Sequence, residues 1–141
     1  MKDSNKKNAY QKTLQSYRNT EILTANKEAI LILLYEGAIR FLKQAIQATE
    51  KKDLPEKGRL IGRVQDIVNE LRATLNHKEG GELATSLDTL YLFITDRLMI
   101  GNQDNDTQKL NEALGILATL HEAWQQAVSS LRNETKTAEN R

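Results

Sequence analysis

The residues that could do chemistry are few. "HEAWQ", His121 to Gln125, opens like the zinc motif His-Glu-x-x-His, in which two imidazoles one helical turn apart hold the ion and the glutamate acts as base. The fifth position is Gln125, and a single imidazole cannot hold zinc. A di-metal bundle needs inward glutamates with Glu-x-x-His pairs, and the sequence contains no Glu-x-x-His. His77 sits in the polar stretch "NHKEGG", and there is no cysteine to act as nucleophile, thiolate ligand or disulfide partner. No Gly-rich phosphate cradle or nucleophile elbow is present. Glu36 within "LLYEGAI" invites a catalytic reading, but it falls on the polar side of its helix, where water solvates it. His121, at the edge of an apolar stripe, reads as a packed histidine bonded to a neighbour. These absences point away from an enzyme, a cofactor or a metal site.

Four helical patterns would position these groups. The first is expected from Asn26, an N-cap, to about Lys52. Its apolar residues, Ile30, Phe41, Leu34, Ala45, Ala38, Leu31, Leu42, Tyr35, Ile46, Ile39 and Ile32, fill an arc of about 200° at 100° per residue. The polar side holds Lys43, Glu36, Gln47, Arg40 and Gln44, with Leu33 an apolar intruder. The second helix follows Asp53 and Pro55 and places Leu60, Ile61, Val64, Ile67, Val68, Leu71 and Leu75 on an arc of about 120°.

Gly80-Gly81 supplies a turn before the third helix, expected over Glu82 to Ile100 with a core stripe of Leu83, Leu87, Leu90, Tyr91, Ile94 and Leu98. "GNQDND" is read as the break before the fourth, from about Asp106 to Leu131, built on Leu110, Ala113, Leu114, Leu117, Leu120, Trp124, Val128 and Leu131. Four long helices joined by short turns predict an all-α fold, an antiparallel up-down four-helix bundle over residues 26–131. Residues 132–141 have no large apolar anchor and are expected to be disordered.

More apolar surface is present than such a bundle uses. Ile32, Ile39 and Ile46 widen the arc of the first helix. Leu92 and Met99 lie nearly opposite the expected stripe of the third, with Phe93 and Ile100 about a quarter-turn further round. Ile116 flanks the stripe of the fourth. Contiguous apolar surface of this kind marks a partner site, and these eight residues are the candidates. Residues 1–25 carry Tyr10, Leu14, Tyr17, Ile22 and Leu23 in a polar background, spaced to form a short helix or strap that could cap part of that surface. The 20 basic and 19 acidic residues, net charge +1, leave no electrostatic footprint for nucleic acid or an anionic membrane. With no run of some 18 apolar residues, membrane insertion is not expected, and a cytoplasmic protein is the default.

The stretches "LTANKEAILILLYEGAIRFLKQA", "GGELATSLDTLYLFITDRL" and "HEAWQQ", in this order and spacing, resemble the FliS-type flagellar export chaperones. The match covers about Tyr10 to Leu131. The resemblance implies a non-enzymatic cytosolic chaperone that binds the C-terminal segment of flagellin, prevents premature polymerisation and delivers it to the export gate of the flagellar type III apparatus. It also implies an N-terminal segment that covers part of the binding surface and moves when flagellin arrives. The chain departs from the family where Asn26-Lys27 replaces the Ser-Pro that commonly opens the first helix. The competing reading is a structural or adaptor bundle that self-associates, as a homodimer, through the same apolar surface.

Overall fold

The end of each helical pattern carries its own stop and start chemistry. The computed structural model describes residues 23–139. They form four helices: α1, Leu23–Glu50; α2, Leu54–Ala73; α3, His77–Asp104; and α4, Thr107–Glu139. No strand occurs among the described residues. Connections this short allow no crossover, so successive helices run antiparallel, and the fold is the four-helix bundle that the hydrophobic period predicts.

α1 closes with two backbone bonds, Asp53 N–H to the Ala48 carbonyl (2.9 Å) and Lys52 N–H to the Thr49 carbonyl (3.1 Å). This is the Schellman pattern, with Lys52 at φ 61° where glycine is usual. Asp53 then caps α2 by accepting from the Glu56 N–H, with Pro55 in the first turn. Asn76 caps α3 by accepting from the Glu79 N–H at 3.1 Å. Gly81, at φ 50° and ψ −124°, then interrupts the helical path. The regular part of α3 therefore starts after the Gly-Gly turn, as its sequence suggests. Asp106 caps α4 by accepting from the Gln108 N–H at 3.0 Å.

Three boundaries differ from expectation. α1 starts at Leu23, so Asn26 lies inside it rather than capping it. α3 does not stop at Ile100 but runs to Asp104, closed by Asn105 in the left-handed conformation. Gly101 is a packing residue there: a Cβ at this position would lie 2.5 Å from Leu110 Cδ2, so α4 comes close only because the side chain is missing. α4 continues past Leu131 to Glu139, because "RNETKTAE" holds no glycine or proline to end it.

The described residues divide into two compact units, Leu34–Ala123 and the combination of 23–33 with 124–139. The first contains a stretch of every helix. Its core is Tyr35, Ala38, Leu42 and Ala45 of α1, Leu60, Val64, Val68 and Leu71 of α2, Leu87, Tyr91, Ile94 and Leu98 of α3, and Leu110, Ala113 and Leu117 of α4. Tyr35 and Tyr91 hydrogen-bond to each other through their hydroxyls, with ring centroids 6.5 Å apart. That bond spares both phenols the cost of burial without a partner. Lys57 is also buried, at 6% exposure. Its Nζ donates to the Asn102 carbonyl at 2.7 Å and to Asn105 Oδ1, a cation placed at the negative end of α3.

Candidate partner-binding surface

α3 presents two different sides. The core side is Ala84, Leu87, Tyr91, Ile94, Leu98 and Gly101, spaced by threes and fours. Leu83 and Leu90, expected in that stripe, each precede a core residue by one position, about 100° round the helix, and both are exposed. The opposite side exposes Leu92, Phe93 and Met99, with 60% of Met99 and 47% of Leu92 open to solvent. Ile100 is half-buried beside them. The helix thus gathers four of the expected partner residues on its outer surface, and two more apolar residues than the sequence pattern suggested.

Phe93 does not stand alone. The Arg97 guanidinium lies 4.4 Å from its ring centroid, and Arg97 also pairs with Glu112 of α4 at 3.4 Å. A cation held over one ring face by a second helix restricts how Phe93 can turn, so the ring offers a partner a pre-set surface. α3 is tied to α2 by Arg72 Nε donating to Asp88 Oδ1 at 2.7 Å. This hydrogen bond holds the Asp88 carboxyl below the usual carboxylate range and raises the Arg72 guanidinium.

The remaining candidates are placed less openly. Ile46 is buried at 8% exposure and belongs with the core side chains, because it continues the Leu42, Ala45 side of α1. Ile39 and Ile116 are half-buried, as is Ile32, which lies in the other compact unit. Tyr10, Leu14, Tyr17 and Ile22 lie outside the described residues, and Leu23 is the first residue of α1.

A groove of about 520 Å³ opens between α1 and α4. It is lined by Glu36, Ile39, Arg40, Lys43, Gln44 and Gln47 of α1 with Ala118 and His121 of α4. His121 Nε2 lies 3.4 Å from Glu36 Oε1, so the histidine does bond a neighbour and Glu36 is on an open, polar side. The sequence pattern named these polar residues but not the groove, since a wheel gives directions on one helix and not which helix stands opposite. Among the described residues no three His, Asp or Glu side chains converge as metal ligands, and no helix is long and apolar enough to cross a membrane.

Comparison with known proteins finds relatives over most of the chain. The sequence pattern of the family described as flagellar protein FliS matches residues 8–131. The flagellar secretion chaperone FliSB of Pseudomonas aeruginosa is 38% identical over 104 residues, 74% of this chain and 82% of that protein. The flagellar secretion chaperones FliS of Bacillus subtilis and Vibrio cholerae are each 32% identical, over 126 and 127 residues, covering 89% and 87% of this chain and 93% of each relative. A family pattern that spans nearly all of a bundle of this kind leaves one assignment: the chain belongs to the flagellar protein FliS family.

Proposed function

We propose that this protein is a flagellar secretion chaperone, without catalytic activity, that binds the C-terminal segment of flagellin in the cytoplasm, keeps it from polymerising early and delivers it to the flagellar type III export gate. The observation that supports this most is the outer side of α3, where Leu92, Phe93 and Met99 are exposed in a chain related to secretion chaperones. An amphipathic segment laid on this face would bury side chains that the bundle itself leaves wet. Ile100 extends the contact on α3, and Ile39 and Ile116 supply half-buried surface on α1 and α4.

Calorimetric titration of the full chain with a flagellin C-terminal peptide, and with flagellin lacking that segment, tests the reading. Saturable binding of the peptide and none of the truncated flagellin is the expected result. No binding by the peptide, together with a dimer in sedimentation that is broken by Met99→Glu, would put self-association in its place. In this reading Tyr10, Leu14, Tyr17, Ile22 and Leu23 act as a displaceable cap, and a cap that competes with flagellin lowers apparent affinity by the fraction of time it is closed. Deletion of residues 1–16 then increases binding of an apolar dye to the free protein; unchanged dye binding would remove the cap from the scheme.

A further inference from the structure

We propose that the groove between α1 and α4 is a second docking site, which receives a short acidic segment of a protein partner. The argument starts from charge. Arg40 and Lys43 stand exposed in the lining, and among the described residues neither has a carboxylate partner. Arg40 lies over the Phe41 ring at 5.3 Å, a contact that leaves its charge unneutralised. Glu36, the acid in the lining, faces His121 instead. The groove therefore offers two cations without an ion pair, against the one carboxylate of Glu36, beside the apolar surface of Ile39 and Ala118.

Size and donors fix the kind of occupant. From Glu36 to Gln47 α1 advances about 16 Å. That length accommodates about five residues of extended chain. The amides of Gln44 and Gln47 can both donate to and accept from a peptide backbone. The chain's own leader is a poor match, since Lys2, Lys6, Lys7, Lys12 and Arg18 outweigh Asp3 and Glu21. A nucleic acid gains its affinity from a longer run of phosphate contacts than two cations supply. A carboxylate-bearing peptide satisfies both the charge and the length. The groove shares Ile39 with the surface proposed for flagellin, but its cations are on α1 and not on α3, so charge-dependent binding here is tested separately from the α3 contact.

The test is amide NMR of the full-length ¹⁵N-labelled chain titrated with the blocked pentapeptide acetyl-Glu-Leu-Glu-Leu-Glu-amide, with its Gln-for-Glu counterpart as control. Shifts should concentrate in residues 36–47 and 118–121. Binding should weaken about fivefold for the Gln peptide and for the double variant Arg40→Gln, Lys43→Gln, the scale expected of two exposed charge contacts. Arg40→Lys should retain most of it. Both residues are exposed, so the variants should melt like the parent; if one does not, the peptide pair alone decides. Equal binding of the two peptides, shifts confined to Leu92, Phe93 and Met99, or no shifts would overturn the proposal. Tighter binding of a short single-stranded oligonucleotide at the same amides would overturn the choice of a peptide.

Discussion

α2 and α3 have the same task in the bundle and different surfaces. α2 buries Leu60, Ile61, Val64, Val68 and Leu71, and its exposed large apolar residue is Leu54, at its first position. α3 buries a stripe of similar size and still exposes Leu83, Leu90, Leu92, Phe93 and Met99. A bundle helix needs one apolar stripe, and α2 shows that this bundle is satisfied with one. The surplus on α3 is therefore not accounted for by folding. Exposed apolar groups in such number are a liability in a free protein, and the partner proposed above would supply the missing reason.

The comparison can be broken by charge. Leu71→Glu on α2 or Ile94→Glu on α3 should each destabilise the fold by about 4 kcal/mol or more, since both sites are fully buried and hold no partner for a carboxylate. Loss of the cooperative melt in far-UV circular dichroism is the measurement. Leu92→Glu or Met99→Glu should instead weaken the proposed binding of the flagellin tail by about 2 kcal/mol or more, roughly 30-fold. Their melting midpoints should stay close to that of the parent. If face and stripe variants lose fold and binding alike, the two sides of α3 are not distinct.

Smaller effects sharpen the picture. Gly101→Ala pushes a methyl group into Leu110 and should cost about 1–3 kcal/mol in denaturant unfolding. No counterpart is expected at Gly62 of α2, where an added Cβ meets nothing within 4 Å. There alanine should stabilise the helix by roughly 0.5–1 kcal/mol. The smallest effect is at the tie between the two helices. Asp88 is held below its ordinary range by the hydrogen bond from Arg72, so it adds stability above the unfolded carboxylate value that is lost as pH falls through the folded one. Asp88→Asn should lower the melting midpoint slightly at neutral pH, with the gap to the parent closing in acid.

Much of this was legible because helices announce themselves by period and by ends. The buried side of α1 through Leu34, Tyr35, Ala38, Leu42 and Ala45, the Asp53 cap and the Gly80-Gly81 turn all follow from residue type and spacing. Gly101 reads as a stop in the sequence because glycine both ends helices and lets them touch, and only the neighbouring Leu110 distinguishes the two. Leu83 and Leu90 look like core in the sequence because an apolar residue beside a stripe resembles part of it until the facing helix is placed. Lys57 gave no signal at all: its burial depends on the α3 terminus reaching it, a long-range event that no local pattern records. Ile46, at the edge of the wide α1 arc, is core because it continues the Leu42 and Ala45 side, and only the facing helices show where that side ends.

The Tyr35–Tyr91 hydroxyl pair sets a limit of another kind. Burial, reinforced by the hydrogen bond shared with Tyr35, pushes the Tyr91 phenol well above its ordinary value near 10. A phenol whose folded value lies above its unfolded one lends stability in full below about pH 10 and withdraws it as the solution becomes more basic. The bundle therefore resists ionising this tyrosine until it opens. In strong alkali, phenolate absorbance from Tyr91 and loss of helix should rise together, which makes the core of this bundle a base-sensitive latch that reports its own release.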